Sequence, residues 1–265
     1  MVNDDPTWRK LKTVGTTLDV IEALADLDGA GVTELAETVG ISKSSAHSHL
    51  STLHEAGYLR KDDGEYALSC QFLLLGEYVR NANPLYQFGS LKADRLATET
   101  GHYVHLFTEE NGRGVTIYEA RGEHAGGYEY QSLKLQQREP LHVTASGKAI
   151  LANLPERRVR EIVDSHGLER YTENTITESE ALFEELAEIS EQGYAVNDEE
   201  EIYGFRAVAA PVRTQARELL GSISLSGPVT FLSDETFTDE MPERVIEAAE
   251  MIRVDANMSQ FSGTG

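Results

Sequence analysis

The chain contains few lysines, a single cysteine and no long apolar run. Because Cys70 has no second cysteine to pair with, no disulfide can form within the chain, which predicts a reducing, cytoplasmic environment. No run of about 18 apolar residues is present, so no membrane-spanning helix is predicted. The N-terminal "MVNDDPTWRKLK" lacks the apolar centre of a signal peptide. With 40% hydrophobic residues in 265, the chain can build two modest domains or one large one.

Positive charge is scarce throughout the chain. It has 45 acidic and 23 basic residues, a formal net charge of −22, and only 7 of the basic residues are lysine. The acidity is not a tail, since residues 1–80 carry 13 acidic and 7 basic side chains and residues 81–265 carry 32 and 16. A surface this acidic and this poor in lysine suggests an organism with molar salt in its cytoplasm. The alternative is an ordinary acidic protein.

The first 80 residues predict three helices followed by a hairpin. The first helix is indicated by apolar residues at helical spacing: Val14, Leu18, Ile21, Leu24 and Ala25. In "VTELAETVG", Thr33 is a candidate N-cap and Gly40 a candidate C-terminal cap of the second helix. Ser42 is the candidate cap of a third helix that runs to about Glu55. "YLRKDDGEYAL" then predicts two strands joined by a turn, which completes a winged helix-turn-helix.

The third helix has one apolar face and one face of small polar side chains. Ala46, Leu50 and Leu53 share the apolar face, and the opposite face is short enough to enter a major groove of DNA. The predicted contacts with bases are Ser44, Ser45, His47 and Ser48, and those with phosphates are Lys43, Arg60 and Lys61. The alternative is a compact module that contacts only proteins, with an ordinary solvated serine face.

A high salt concentration would change the electrostatic repulsion between so acidic a chain and DNA. At about 1 M salt the Debye length is about 3 Å, so repulsion between distant carboxylates and phosphates is largely screened. The same salt removes most of the gain from counterion release. We therefore expect recognition to rely on base edges and DNA shape, for which a weakly charged helix is suited.

The segment "SCQFLLLGEYVRNANP" predicts a helix between two domains. Phe72, Leu75 and Val79 follow helical spacing, and Asn83-Pro84 ends the pattern. This helix is too apolar for a free linker, so we expect it to pack against a neighbour or a second subunit.

The C-terminal part mixes strands and helices. Strands are predicted at "HYVHLF", "GVTIYEA", "YEYQSL", "RAVAAPV" and "LLGSISLSGP", and helices at "TASGKAILANL", "PERRVREIVDSHG" and "DEMPERVIEAAEMI". A further helix in "TITESEALFEELAEISEQG" is predicted to begin with a capping box of Thr177 and Glu180 and to end at Gly193. The pattern indicates an α+β domain with a mostly antiparallel sheet.

Two motifs in this part are candidates for a binding site. "LHVTASGKAILA" is not a phosphate-binding Walker loop, because the required positions hold His142 and Ala149. It predicts a helix N-terminus whose backbone N–H groups favour an anion; the alternative is a plain capped helix. "GSISLSGP" places Ser222, Ser224 and Ser226 on one face of a strand, which predicts a polar cavity or, alternatively, a solvated sheet face.

The sequence offers no catalytic set. No serine has a recognisable base, and the carboxylates of "VNDEEE" are interpreted as a solvated loop. We therefore predict no enzyme activity, no cofactor and no metal site.

Together these segments resemble the IclR family of transcriptional regulators. The resemblance covers nearly the whole chain and is carried by the order of a winged helix, a linker helix and the motifs "LHVTASGKAILANLP", "QGYAVNDEE", "GFRAVAAPV" and "GSISLSGP". It implies a winged helix that binds double-stranded promoter DNA and a GAF-like domain that binds a small effector, such as an organic acid, sugar acid or aromatic acid. It also implies homodimers, often paired into tetramers, and no membrane partner.

Carried over by motif, the resemblance implies an effector site formed by Ala145, Ser146, Asp198, Ala207, Ser224 and Ser226. Position 207 is cysteine in some members of the family and alanine here, which would change the pocket. Position 48 is often arginine in bacterial members and serine here, so their base preference is not transferred.

The expected fold class is α+β, with a winged helix-turn-helix over residues 7–69, a linker helix over 70–84 and a GAF-like α/β effector-binding domain over 85–260. The expected function is an effector-controlled regulator of transcription. Two alternatives remain open from the sequence: a GAF-like metabolite-binding protein, or an enzyme, each with the winged helix used only for protein contacts.

Overall fold

The computed structural model describes residues 10–126 and 138–262. The predicted strand "YEYQSL" lies outside the described residues. The chain divides into two compact units, residues 1–79 and 80–265.

The first unit is a winged helix-turn-helix, as predicted. Its elements are α1 (Lys12–Asp26), β1 (Ala30–Gly31), α2 (Val32–Val39), α3 (Lys43–Glu55), β2 (Leu59–Asp62) and β3 (Glu65–Leu68). The three strands form an antiparallel sheet in the order β1-β3-β2. The helices and the sheet enclose one apolar core, which includes Val20, Leu24, Leu35, Leu50, Leu53, Leu59 and Tyr66.

Capping groups explain where the helices of this unit begin and end. The Ser42 hydroxyl accepts a hydrogen bond from the Ser45 backbone N–H at 3.1 Å, which caps α3 as predicted. Gly40 ends α2 in the left-handed conformation, with φ of 72°, where glycine avoids a steric penalty. The prediction of Thr33 as the N-cap was wrong, because α2 already begins at Val32 with Gly31 in the cap position.

The helix at α1 was predicted correctly, and only part of its apolar stripe is buried. Val14 and Leu18 are 53% and 54% exposed, whereas Val20, Ala23 and Leu24 are buried. The α1 helix therefore leaves part of its apolar stripe uncovered by its own unit.

Helix α4 (Gln71–Ala82) follows the wing and has no buried residue. Within the first unit, its Phe72 ring packs edge-on against Tyr58, with ring centroids 5.4 Å apart. Its large exposed apolar side chains are Leu73, Leu74, Leu75, Tyr78 and Val79. We call these five residues the α4 apolar face.

The second unit is an α+β domain built on one antiparallel sheet. Its helices are α5 (Pro84–Thr100), α6 (Ala145–Leu151), α7 (Glu156–His166), α8 (Ser179–Gln192) and α9 (Met241–Ser262). Its strands are β4 (Tyr103–Glu110), β5 (Arg113–Arg121), β6 (Ala195–Asp198), β7 (Phe205–Arg213) and β8 (Leu219–Pro228). They lie in the order β5-β4-β8-β7-β6, and each neighbouring pair is antiparallel.

Alternation along the strands gives the sheet two apolar faces. On one face, Leu106, Val208 and Ile223 belong to a core shared with α5 and α9. On the other face, Phe107 and Ala209 belong to a core shared with α6, α7 and α8. The sheet is therefore covered on both sides, which gives three layers.

Two local predictions in this unit were wrong. Helix α8 begins at Ser179 with Glu178 in the cap position and no side-chain cap. The hydroxyl of Thr177 instead accepts a hydrogen bond from Arg170 at 3.1 Å. The segment "VNDEEE" is not simply a solvated loop, because its first half belongs to β6 and its Glu200 is buried.

Candidate functional site

The outer face of α3 is polar and accessible. Ser44, His47 and Ser48 are exposed, whereas Ala46 and Leu50 on the opposite side are buried. The Ser48 hydroxyl donates to the Ser44 carbonyl at 3.0 Å, which leaves its oxygen able to accept a further hydrogen bond. Lys43 is exposed and Ser45 half-buried, so the predicted base contacts share one accessible end of the helix.

His49 does not lie on this polar face; it contacts α1 and has a structural role. Its Nδ1 lies 2.9 Å from the hydroxyl of Thr17, so the pair joins α3 to α1. His47 Nδ1 lies 3.4 Å from the Ser51 hydroxyl on the exposed side. The two histidines therefore have different surroundings, and His47 alone is available to an outside partner.

The wing carries two of the three predicted phosphate contacts and a cluster of carboxylates. Arg60 and Lys61 are exposed on β2, and Lys61 Nζ lies 4.7 Å from the centre of the Tyr66 ring. At the tip of the wing, Asp63 and Gly64 take left-handed conformations, which match a tight hairpin turn. The neighbouring carboxylates offset the two cations, so the wing presents little net positive charge.

In the second unit, a small cavity of about 20 Å³ lies between the sheet and the first turn of α6. Five of the six predicted effector contacts line it: Ala145, Ser146, Ala207, Ser224 and Ser226. The other lining side chains are His105, Phe107, Thr116, Glu139, Thr144, Asn197 and Glu201. Nine of the twelve lining residues are therefore polar.

The register of the strands explains this grouping. Ser226 on β8 lies opposite Ala207 on β7, and Ala207 lies opposite Asn197 on β6. One step along the sheet, Ser224 lies opposite His105 on β4. Because alternate residues of a strand face the same side, these side chains all point towards α6.

Asp198, the sixth predicted effector contact, does not line this cavity, and its role stays a prediction. It follows Asn197 on β6 and therefore faces the other way. Its carboxylate accepts a hydrogen bond from Arg206 Nε at 2.7 Å and is 51% exposed. Asn197 takes the position in the cavity that was predicted for Asp198.

The serines of β8 are buried, which excludes the solvated-face alternative. Ser222 Oγ donates to the Ser146 carbonyl at 3.1 Å and so joins the sheet to α6. Ser226 is 8% exposed, and its Oγ has no hydrogen-bond partner among the described residues. An unsatisfied buried hydroxyl is unfavourable, and this one lies at the cavity wall.

The N-terminus of α6 is capped by the side chain of Thr144. Thr144 Oγ1 accepts a hydrogen bond from the Gly147 backbone N–H at 2.9 Å. A Cβ atom on Gly147 would lie 2.2 Å from the Leu141 carbonyl oxygen. The glycine of "ASGK" is therefore required for close packing of α6 on the preceding segment.

A buried ionic cluster lies beneath the cavity. Lys148 is fully buried and donates hydrogen bonds to Glu200, at 2.6 Å, and to Glu185. Burial raises the pKa of Glu200 to about 7, although the adjacent Lys148 cation acts in the opposite direction. The Glu200 backbone N–H donates to Asn197 Oδ1 at 2.8 Å, so the cluster is linked to the cavity wall.

A second charged group lies beside the cavity. His105 Nε2 is 3.3 Å from Glu119 Oε2, and Arg121 Nε donates to the other oxygen of Glu119 at 2.7 Å. Burial acts to raise the pKa of Glu119, but hydrogen bonds from His105 and Arg121 outweigh it and leave the pKa below its usual value. Glu119 therefore holds the His105 ring in place as a carboxylate.

Among the residues that the structure describes, no group of three or more His, Cys, Asp or Glu side chains is arranged to hold a metal ion. Over the same ranges, no helix combines the length and the apolar character needed to span a membrane.

Sequence comparison finds a known domain in each of the two units. Residues 13–63 match the IclR helix-turn-helix domain, and residues 80–254 match the domain described as bacterial transcriptional regulator IclR C-terminal. The chain belongs to the IclR family of transcriptional regulators. It thus combines a DNA-binding helix-turn-helix with a C-terminal effector domain, and the family resemblance predicted from the sequence is confirmed.

Individual relatives match along most of their length. The probable HTH-type transcriptional regulator ArcR of Halobacterium salinarum is 36% identical over 253 residues, which cover 95% of each chain. The crystal structure of Thermotoga maritima IclR has a TM-score of 0.74 at 26% identity and covers 93% of this chain and 99% of that one.

A third relative has the same fold and a bound ligand. The IclR homolog of Microbacterium hydrocarbonoxydans, complexed with 4-hydroxybenzoate, has a TM-score of 0.79 at 22% identity, covering 92% of this chain and 98% of that one. By their names, the Halobacterium protein and the transcriptional repressor IclR of Escherichia coli, which is 27% identical and covers 93% of this chain and 90% of that one, are regulators of transcription.

Proposed function

We propose that α3 reads the operator and that the cavity under α6 holds the effector that controls binding. In this proposal Ser44, Ser45, His47 and Ser48 contact base edges. Lys43, Arg60 and Lys61 contact phosphates. The observation that supports the DNA half is the accessible polar end of α3, opposite a buried apolar face.

The effector half of the proposal rests on the cavity itself. Ala145, Ser146, Ala207, Ser224 and Ser226 line one cavity, and Ser226 has a buried hydroxyl that a ligand could satisfy. A relative of the same fold carries 4-hydroxybenzoate. We assign the winged helix to residues 7–69, the linker to 70–84 and the effector domain to 85–260, and we propose no catalytic activity.

We further propose that the protein acts as a homodimer, or as a pair of dimers. The α4 apolar face exposes five large apolar side chains on one helix, and an exposed apolar patch of this kind is typical of a protein interface. Effector binding would then alter the distance between two winged helices and their fit to two half-sites. We propose that this activity is cytoplasmic, since its proposed partner is promoter DNA.

The test is fluorescence anisotropy of the full chain on DNA from upstream of its own gene, in about 2 M KCl, against scrambled DNA of equal length. We expect saturable binding that prefers the native fragment. His47→Ala should weaken it about tenfold, as expected for one lost base contact of 1–3 kcal/mol. Thr13→Ala, at an exposed position of α1, is the control and should change nothing. Equal affinity for both fragments, together with an unchanged affinity of the His47→Ala variant, would count against the proposal that α3 contacts the bases of the operator.

A further inference from the structure

Helix α1 carries an apolar stripe that its own unit leaves largely uncovered. The stripe consists of Leu11, at the N-cap, and Val14, Leu18, Ile21 and Ala25. At 100° per residue these positions fall within an arc of about 80°. Their spacing of three, four, three and four residues is typical of a helix that pairs with another helix. We call these five residues the α1 apolar seam.

The α1 apolar seam faces away from the core of the winged helix. That core takes Val20 and Leu24 from the other side of α1. In contrast, Leu11, Val14 and Leu18 are 68%, 53% and 54% exposed. Large aliphatic side chains that lie together on one stripe are typical of a protein interface, whereas single exposed apolar residues are common on any surface.

Gly15 lies next to the seam and leaves room for a second helix. A Cβ atom at this position would meet no neighbouring atom of the described chain within 4 Å, so packing within the unit does not require a glycine. Glycine lowers the stability of a helix relative to alanine, but it allows another chain to approach the backbone closely.

The charges at the two ends of α1 are opposite to those that stabilise a single helix. Lys10 and Lys12, two of the seven lysines of the chain, lie at its N-terminus, and Asp26 is its last residue. The first turn has no acidic residue and the last turn has no basic one. The helix dipole favours the reverse arrangement. The observed charges become favourable when a second helix lies alongside in the opposite direction, because each basic end then meets an acidic end.

A second copy of α1 supplies the matching surface. A two-fold axis near Leu18 places the seam of each copy on the seam of the other, since such an axis relates identical patches. Leu11 of one copy then lies level with Ala25 of the other, so a large side chain lies opposite a small one. Lys12 of one copy lies close to the level of Asp26 of the other.

Helix α1 also contacts the helix that is proposed to bind the operator. His49 Nδ1 of α3 lies 2.9 Å from the hydroxyl of Thr17, which directly precedes Leu18 of the seam. A contact between two copies of α1 would therefore fix the two α3 helices relative to each other. Their separation must match the spacing of the half-sites on DNA.

We infer that the α1 apolar seam binds the same seam of a second copy of this chain in antiparallel orientation. The inference rests on the proposed function, in that the protein acts as a homodimer. It adds a contact to the α4 apolar face, and it assigns the basic N-terminus of α1 a partner in the acidic C-terminus of the other copy.

Sedimentation analysis of the full chain in about 2 M KCl, where charges at long range are screened, measures the contribution of the seam. Leu18→Glu should weaken self-association at least tenfold, because it places two carboxylates within an apolar contact near the two-fold axis. Leu18 is exposed in one copy, so the variant should fold. The control is Thr13→Glu, which adds the same side chain at an exposed position of α1 outside the seam and should change nothing.

Cross-linking between single cysteines determines the direction of the pair. All variants carry Cys70→Ser and are treated with a short bifunctional maleimide. A mixture of Leu11→Cys and Ala25→Cys chains, one of them with a size tag, should give a cross-linked heterodimer, whereas Leu11→Cys alone should give almost none. Asp19→Cys is exposed on α1 at about 120° from the centre of the seam; it controls for random collision and should not cross-link.

Charge reversal tests the contact between the helix ends. Lys12→Glu should weaken self-association about threefold, although the helix dipole favours glutamate at this end. Mixing this variant with Asp26→Lys should restore the affinity of the wild-type chain, because opposite charges then meet at both ends. A tighter dimer for Lys12→Glu, as the dipole of a single helix predicts, would contradict the antiparallel orientation.

Three further results would overturn the inference. They are a dimer of wild-type affinity in Leu18→Glu, cross-linking of Leu11→Cys with itself but not with Ala25→Cys, and cross-linking of Leu18→Cys chains with Leu74→Cys chains, which would assign the seam to α4 of the other copy. Each of these leaves the proposed homodimer in place. A wild-type chain that stays monomeric at its highest soluble concentration would instead reject the homodimer, and the seam contact with it.

Discussion

Lys148 and Glu200 form an ion pair of 2.6 Å between α6 and the segment after β6. Lys148 is fully buried, and the Glu200 carboxylate is nearly so. Glu185 of α8 accepts a second hydrogen bond from the same lysine. One cation therefore joins three segments near the cavity under α6, at the cost of removing the charges from water.

Lys148→Met should lower the free energy of unfolding by about 3 to 5 kcal/mol, because it leaves a buried carboxylate without its cation. The matched control is Lys92→Met, which removes the partly exposed pair of Lys92 with Asp255 and should cost no more than about 1 kcal/mol. Urea unfolding in about 2 M KCl measures both losses of unfolding free energy.

Adding Glu200→Gln to Lys148→Met should recover part of the lost stability, because it removes the buried carboxylate that has no cation. Equal losses of stability for Lys148→Met and Lys92→Met would contradict the expectation that the buried ion pair matters more than the exposed one.

Glu200 should also make stability depend on pH. Its pKa in the folded protein is about 7, raised by burial above the usual 4.5. Between these values the folded chain holds a proton that the unfolded chain has released, so stability falls as the pH rises from about 4.5 to about 7 and is then level. The shift corresponds to a loss of roughly 3 kcal/mol.

The measurement is the difference in unfolding free energy between wild type and Glu200→Gln, followed from pH 4.5 to 8. Taking the difference cancels the other titrating groups. We expect wild type to lose stability relative to the variant as the pH rises. A difference that grows in favour of wild type over this range would mean that Lys148 dominates and that the pKa of Glu200 is lowered.

The sequence alone predicted the elements whose pattern is local. Alternation in "GSISLSGP" predicted the strand and the common face of Ser222, Ser224 and Ser226. The polar and apolar faces of α3 were predicted from the rotation of 100° per residue in an α-helix. Ser42 and Gly40 act at the helix ends because their chemistry requires only neighbouring backbone groups.

Features that depend on distant partners were missed. Lys148 resembles any surface lysine of an acidic chain, and its partners Glu185 and Glu200 lie 37 and 52 residues further along. Glu139 is positioned at the cavity by one isolated bridge to β5. Such a bridge leaves no periodic pattern in the sequence from which it could be predicted. The exposure of Val14 and Leu18 on α1 could not be predicted for a related reason, since helical spacing does not say which part of an apolar stripe its own domain covers.

The α4 apolar face predicts an interface that one substitution can break. Leu74→Glu places a charge among exposed apolar side chains of α4, and its burial in a dimer would be unfavourable. We expect light scattering to show a dimer or tetramer for wild type and a smaller species for the variant at equal concentration. Leu91→Glu makes the same change at an exposed position of α5 and should leave the dimer intact. A dimer that survives Leu74→Glu would place the interface elsewhere.

Ser48→Arg should strengthen DNA binding and change the preferred sequence. Ser48 is exposed on the polar end of α3, and an arginine that reaches a guanine edge discriminates by about 1–3 kcal/mol. The control is Thr13→Arg, which adds the same charge at an exposed position of α1. Anisotropy against a set of operator variants in about 2 M KCl separates the two effects, because the salt screens the general attraction of charge for DNA. If both arginines raise affinity equally and neither alters base preference, Ser48 does not face the bases.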